Sequence, residues 1–540
     1  MQSKVRSARD AVALIASGST IAISGNISMV VPEMVLRALG DRFRETGQPR
    51  DLTLLLPTRA GWKADPPTGL EHLAHPGLAR RVITSTWSGR DSPKWMRMAV
   101  DGEYEAYSFP MGVLFRLFRE CAAGSPGFLT RVGLNTYVDP GAGPDAGSPQ
   151  VNAKTPPQDL VRRIELDGQT YLFYRTLPIH GAIIRGTVAD PDGNVSLASE
   201  PVSVGVRYLA MAARNSGGKV IAQVKHLTDR GTIHPRMVEV PGILVDAVVV
   251  DPASIQTQIG DYEPALAGEL RTPEPPVPPL PFDHEKVILR RAAMELEQGD
   301  IVNLGVGIGT HVPALAVEEN FLDDIVFSLE HGGMGGIPAM GTPERSGAFG
   351  AHYNPVAIWD SLSVFDFYHG GGLDITFLGF AQVDAQGSVN VGWFSGNLRA
   401  PGGFLDITSR TRKLVFCGTL TAGGLKVEVT PWGGEGRPAR VRIVQEGRIR
   451  KLIPKVEQVN LHGPTAMANG QRVVIVTERG VFQATRDGLE LIEVAPGIDI
   501  DRDIAPFVGF PFARSPRLCE MDARLFLEGK TGLRPRPRPC

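Results

Sequence analysis

A carboxylate closes the apolar run Ile325-Val326-Phe327-Ser328-Leu329 and opens a glycine-dense loop: Glu330 is followed by His331-Gly332-Gly333-Met334-Gly335-Gly336-Ile337-Pro338. Glycines admit positive φ and let a bulky ligand approach the backbone, while an apolar strand behind the acid limits its solvation and raises its nucleophilicity. A residue so placed could be acylated in covalent catalysis. Further glycine clusters follow at Gly370-Gly371-Gly372, Gly402-Gly403 and Gly423-Gly424. Any one of these would read as a turn, but together, downstream of one acid, they suit a long, thin ligand lying against backbone. Upstream, Gly305-Val306-Gly307-Ile308-Gly309 stands between a strand-like and a helix-like segment, a setting in which N–H groups bind an anion or a carbonyl oxygen. It is not a dinucleotide fingerprint, because Thr310 breaks the G-x-G-x-x-G spacing and Glu318 and Glu319 come too early for the ribose.

Other chemistries lack their signatures. The eleven histidines include no H-E-x-x-H and no pair four apart, so no metal site is expected. Cys121, Cys417, Cys519 and Cys540 lie far apart, as free thiols in a reducing cytosol would. No G-x-S-x-G elbow is present. The formal charge of −2 supplies no global field for nucleic acid or membrane, so any anion site must be local. The first ten residues are polar, and no apolar run approaches the ~20 residues that span a bilayer. A cytoplasmic enzyme is the expectation.

The elements that must position Glu330 come in two sets. At 540 residues the chain exceeds what one core usually serves. Arg271-Thr-Pro-Glu-Pro-Pro-Val-Pro-Pro-Leu-Pro281 reads as an extended spacer that divides it nearly in half. The expected organisation is therefore 1–270, a linker at 271–283, and 284–540 carrying the acid. Asp139-Pro-Gly-Ala-Gly-Pro-Asp-Ala-Gly-Ser-Pro149 and Pro431-Trp-Gly-Gly-Glu-Gly-Arg-Pro438 read as loops within the halves. The halves resemble each other. Gly18 precedes Ile21-Ala22-Ile23 and Pro32 as Gly299 precedes Ile301-Val302-Asn303-Leu304 and Pro313, with glycine-to-proline intervals of 14 residues in both. Asp190-Pro-Asp-Gly-Asn-Val195 matches Asp384-Ala-Gln-Gly-Ser-Val389, and Gly218-Lys-Val-Ile221 matches Arg412-Lys-Leu-Val415, each 194 residues on without a gap. The pattern predicts an α/β fold of two related open units with mainly parallel sheets, holding a ligand between them.

Several stretches carry a family resemblance: Phe327 to Gly341, Phe349-Gly-Ala-His-Tyr-Asn-Pro355, Phe365-Asp-Phe-Tyr-His-Gly-Gly-Gly-Leu-Asp374, Gly402-Gly-Phe-Leu-Asp-Ile407 and Phe416-Cys-Gly-Thr-Leu-Thr-Ala-Gly-Gly-Leu-Lys426. The chain resembles class I coenzyme A transferases, most of all the single-chain acetate or propionate branch. The likeness extends to Gly127-Phe-Leu-Thr-Arg-Val-Gly133 in the first half and to Val444-Gln-Glu-Gly447 in the second. It implies fused α-like and β-like units around a shared site, with Glu330 as nucleophile. The carboxylate would attack an acyl-CoA thioester to give a mixed anhydride and CoA thiolate. The thiolate would return to form a glutamyl-CoA thioester and release the first acid, and a second carboxylate would reverse both steps. The resemblance implies no metal or redox cofactor, coenzyme A entering as a thioester substrate, and usually a homo-oligomer. By the same resemblance a backbone N–H of Gly403 stabilises the oxyanion, and Gly305, Gly307, Gly423 and Gly424 line the pantetheine channel.

One position departs from the family. Its oxyanion glutamine lies in Pro-Gln-Gly, whereas this chain has Pro110-Met111-Gly112, and a thioether donates no hydrogen bond. Either another donor, His331 or Asn26, compensates, or the chemistry has drifted, or Met111 simply widens an apolar acyl pocket. A hydrolase acting on an acyl-CoA or a β-oxo acyl-CoA is the alternative reading, and a non-catalytic CoA-binding scaffold is a third. The aromatic residues Tyr353, Trp359, Tyr368 and Trp393 are candidates equally for pocket or core.

Overall fold

The computed structural model describes residues 3–157, 159–339, 348–434 and 436–538. Met340 and Gly341 of the motif, Glu435 of the loop at 431–438 and Cys540 lie outside the described residues. In the first half, strands β1 (Thr20–Ile23), β2 (Leu52–Leu56), β3 (Ala79–Thr84), β4 (Glu105–Ser108), β5 (Gly181–Ala189), β6 (Lys219–Leu227) and β7 (Ala247–Val250) form one sheet in the order β7-β6-β5-β1-β2-β3-β4. All six pairings along it are parallel. In the second half, β8 (Ile301–Leu304), β9 (Val326–Phe327), β10 (Ile375–Leu378), β11 (Lys413–Cys417), β12 (Arg472–Val476), β13 (Gly480–Thr485), β14 (Gly488–Val494) and β15 (Ala513–Glu520) follow the order β9-β8-β10-β11-β12-β13-β14-β15. Here β9 to β12 pair in parallel, and β13 turns antiparallel on either side. The strands β1, β2, β10 and β5 are buried almost throughout, as strands covered on both faces must be, which is why they read as mainly apolar rather than alternating.

The duplication holds residue by residue. Ile21 pairs with Gly181 and Val302 with Ile375, while Lys219 pairs with Gly181 and Lys413 with Ile375. Even the turns correspond. Asp190 Oδ1 accepts the N–H groups of Asp192 and Asn194, and Asp384 Oδ1 accepts those of Gln386 and Ser388. The register also fixes a counterpart for the nucleophile candidate. Thr20 pairs with Thr53 and Ile301 with Val326, so Pro57 occupies in the first half the place that Glu330 takes in the second.

Three helices bring the halves together: α1 (Met111–Ala122), α2 (Ser361–His369) and α3 (Phe404–Thr408). On α1, Met111, Leu114, Phe115 and Phe118 form the buried stripe of an amphipathic helix. Phe115 packs on Phe365 of α2 with ring centroids 5.9 Å apart, and Arg116 Nη1 donates to Asp366 Oδ1 at 2.6 Å. Asp360 caps α2 by accepting the Ser363 N–H, and the helix stops at the Gly370-Gly371-Gly372 run. One hydrophobic cluster runs from Phe109 and Phe115 through Phe365 to Phe404 and Phe416, so the seam between halves is core rather than surface. The proline-rich stretch carries no helix or strand, and Thr272 exchanges two hydrogen bonds with the Asn354 side chain.

Candidate active site

Glu330 stands three residues beyond β9, where the chain turns sharply. The N–H of Gly332 returns to Leu329 O, and that of Leu329 takes Gly333 O. Gly332 has φ of +116°, and a Cβ there would meet Trp359 O at 1.9 Å, so the turn requires glycine. The acid is not presented to solvent, as a strand end suggests, but is 6% exposed at the seam. Among the described residues, its Oε2 has no hydrogen-bond partner. Burial raises the Glu330 carboxyl to about 7, with the charge of Asp406 adding to the effect and its own N–H and the Asn303 amide opposing it. Beneath the acid, the Ser328 and Tyr368 hydroxyls lie 2.9 Å apart and Asn303 Nδ2 donates to Ser328 O.

Gly403 is the N-terminal cap of α3 and lies against the acid. A Cβ on it would stand 3.3 Å from Glu330 Cγ and 3.4 Å from Oε1. Among the described residues its N–H has no acceptor, which leaves it available to an oxyanion. From the same helix, Asp406 accepts the Gly112 N–H at 3.0 Å and His369 Nε2 at 2.9 Å. Met111 is beside it: its N–H donates to Gly402 O, and its methyl lies 3.5 Å from where a Gly402 Cβ would be. The residue that departs from the family pattern is thus at the site.

Of the two donors proposed to compensate for Met111, Asn26 is otherwise engaged and His331 is a buried ring. Asn26 Nδ2 donates to Phe349 O at 2.8 Å, and its Oδ1 accepts from Thr58. His331 is buried between Phe115 and Gly350, with Nδ1 3.4 Å from Ser361 Oγ, and burial followed by the Arg59 charge pushes it down to about 3. It is a neutral wall residue. Of the aromatics, Tyr368 is fully buried and Tyr353 nearly so, while Trp359 is 40% exposed.

The proposed channel glycines lie at strand ends. Gly305 and Gly307 follow β8, and Gly305 packs on Leu378 so closely that a Cβ would fall 2.4 Å from its side chain. Beyond β11, Gly423 and Gly424 sit against residues 445–449, with Gln445 Nε2 donating to Gly424 O. Their recorded contacts are with that hairpin rather than with Glu330 or Gly403. Sequence reading missed two neighbours. Lys451 Nζ lies 3.8 Å over the Phe380 ring beside Gly418, and burial draws the amine down to about 8. Arg59, in the loop after β2, reaches the seam from the first half. Arg59 stands alone and Lys451 ends the basic stretch Arg448-Ile449-Arg450-Lys451, so neither stands out in sequence, and only the fold places them near strand ends. Among the described residues, no cluster of His, Cys, Asp or Glu could hold a metal ion, and no helix is long and apolar enough to cross a membrane.

A buried carboxylate packed against a helix-capping glycine at the carboxyl ends of duplicated parallel sheets suits acyl transfer through a covalent intermediate. The chain belongs to the coenzyme A transferase family, whose profile matches residues 5–251. It is 37% identical to acetate CoA-transferase YdiF of Escherichia coli K12 over 532 residues, covering 98% of this chain and 96% of that one. It is 41% identical to caffeate CoA-transferase of Acetobacterium woodii, covering 98% of both. The crystal structure of the YdiF apoenzyme from E. coli O157:H7 superposes with a TM-score of 0.90 at 36% identity, covering 99% of this chain and 98% of that one. A thioester complex of YdiF with CoA gives 0.89 at 35% identity. The protein is accordingly an enzyme that transfers coenzyme A from an acyl-CoA to a free carboxylic acid.

Proposed function

We propose that Glu330 is the residue that carries the thioester and that Gly403 N–H stabilises the oxyanions formed on the way. The observation carrying this reading is the contact between the two, a buried carboxylate whose Oε1 lies 3.4 Å from the Gly403 Cβ position and whose Oε2 has no hydrogen-bond partner among the described residues. Ionised Glu330 attacks the acyl-CoA carbonyl carbon; the C–S bond breaks, leaving a mixed anhydride and CoA thiolate. The thiolate then attacks the glutamyl carbonyl, and the C–O bond breaks to release the first acid. The acceptor carboxylate reverses these steps, so charge is conserved throughout and no proton need be moved. A carboxyl near 7 is partly ionised at neutral pH yet more basic than an ordinary glutamate, which favours attack.

In this reading the loops at Gly305–Gly307 and Gly423–Gly424 flank the pantetheine arm, and acyl-CoA and carboxylic acid are the only substrates, with no metal or further cofactor. The halves act as two domains joined at 271–283. The chain works in the cytoplasm as a homo-oligomer, as the free-thiol cysteines and the family resemblance suggest. The test is mass spectrometry after incubation with acyl-CoA and borohydride. Reduction of a thioester at Glu330 supports the reading, whereas label on another residue refutes it. CoA released without acceptor acid at the transfer rate would indicate hydrolysis instead.

A further inference from the structure

Gly403 is bracketed by two tethers to the first half. On one side, Gly402 donates its N–H to Ser85 O at 3.0 Å and accepts the Met111 N–H at 3.1 Å. On the other, Asp406 accepts the Gly112 N–H at 3.0 Å. Helix α3, which Gly403 caps and Asp406 belongs to, has only five residues. A helix of little more than one turn has no stability of its own, so its orientation is set by what holds it. The tether at Gly402 is backbone on both sides, whereas the one at Asp406 depends on a side chain.

That side chain has no exposed surface, and one backbone N–H does not satisfy a carboxylate removed from water. Among the described residues, the side chain that donates to it is His369, with Nε2 2.9 Å from Oδ1. A carboxylate only accepts, so the imidazole proton belongs on Nε2, and Nδ1 is left buried with no partner among the described residues. His369 stands four residues after Phe365 on α2, hence on the same face. Phe365 lies between the two tethered turns, with ring carbons 3.4 Å from the Cβ position of Gly403 and 2.6 Å from that of Gly112. The imidazole stacks on Phe128 of the first half, with centroids 6.2 Å apart and planes at 20°. The Arg116 guanidinium lies 5.1 Å from the centroid of the same Phe128 ring. A phenyl group would fill this slot as well as an imidazole does. What it would lack is the N–H that Asp406 accepts.

Resting on the reading of Glu330 and Gly403 as the reacting pair, we propose that His369 is a positioning residue for CoA transfer: by donating to Asp406 it sustains the second tether and keeps Gly403 against Glu330. It is not a catalytic group, because Nε2 is engaged by Asp406 and Nδ1 is buried. Without the imidazole N–H, the Asp406 carboxylate is left with one donor in an apolar seam, and α3 is free to turn about Gly402. Gly403 then moves relative to the acid, while the surfaces that meet the rest of the acyl-CoA stay where they are.

The test uses the full chain with acetyl-CoA as donor and propionate as acceptor, and counts working sites by borohydride labelling of Glu330. His369→Phe keeps a ring between Phe128 and Phe365 and removes the donor. Its kcat per labelled site should fall about tenfold or more, as a small misplacement at a reacting group implies, with KM for acetyl-CoA within about twofold of the wild type. His369→Gln, whose amide supplies an N–H near the place of Nε2, should keep kcat within about threefold. In a Gly403→Ala background, His369→Phe should lower kcat by less than about twofold, because the contact it protects is already disturbed. An unchanged kcat per site in His369→Phe overturns the proposal, as does His369→Gln as slow as His369→Phe, or a full additive loss in the Gly403→Ala background. Should His369→Phe yield no labelled sites, His369→Gln against the wild type still decides, a loss of tenfold or more overturning the proposal. If Glu330 of the wild type carries no label, the underlying reading falls first; if it is labelled and His369→Phe is unimpaired, only the role of His369 falls.

Discussion

Asp406 of α3 accepts the Gly112 N–H of α1 at 3.0 Å through a carboxylate with no exposed surface, so one buried charge both joins the two halves and sits beside Glu330. With Glu330 as the proposed nucleophile, only its ionised form attacks, so kcat/KM for acyl-CoA should rise with pH through about 7. Asp406→Asn keeps an acceptor for Gly112 and removes the negative charge. The rising limb should then move to lower pH, and a pH-rate profile in which it stays at 7 or moves higher would contradict the coupling.

The same carboxyl has a cost in stability. With a folded value of about 7 against 4.5, the protonated form stabilises the native state; that stabilisation is complete below 4.5, declines as pH rises, and is lost above about 7. Glu330→Gln, which cannot ionise, should be more stable than the wild type at pH 8 by about 3 kcal/mol. Denaturant midpoints should show the difference narrowing towards pH 5, while the variant forms no reducible thioester.

Gly403→Ala adds a Cβ 3.3 Å from Glu330 Cγ and 3.4 Å from a Phe365 ring carbon, closer than most such contacts. The acid must shift from the N–H that serves it. A fall in kcat of about 10²-fold is expected, in line with loss of one oxyanion donor, with little change in thermal midpoint. Retained kcat would show that another group serves the oxyanion.

Met111→Gln places an amide where the family has one, next to Gly402 and at the start of α1. Since Asn26 is occupied and His331 is a buried neutral ring, the added donor should raise kcat about tenfold, a part of what an oxyanion donor is worth. A lower kcat with every acid would indicate that the thioether is needed as apolar lining.

What the sequence could reveal was local or periodic. The repeated Gly-strand-Pro units and the Asp190 and Asp384 turns preserved their spacing, and the strand register follows them residue for residue. Glu330 stood out because an apolar run ends there in glycines. The burial of that acid was not legible, since a strand end ordinarily faces solvent and here α1 arrives from the other half to cover it. Asp406 and Gly112 are 294 residues apart, and Asn26 and Phe349, whose hydrogen bond crosses the seam, are 323 apart. No window of sequence contains such pairs. His331 and Asn26 invited a donor role by adjacency, but Asn26 is committed to Phe349 and Thr58, and His331 is a buried ring with Nδ1 beside Ser361.

The register that makes Pro57 the first-half counterpart of Glu330 has a stoichiometric consequence. Proline has no group that can be acylated, so with Glu330 as the proposed nucleophile the duplicated architecture is chemically one-sided, and each polypeptide should take up one equivalent of CoA. Active-site titration should saturate at one thioester per chain, however many chains associate.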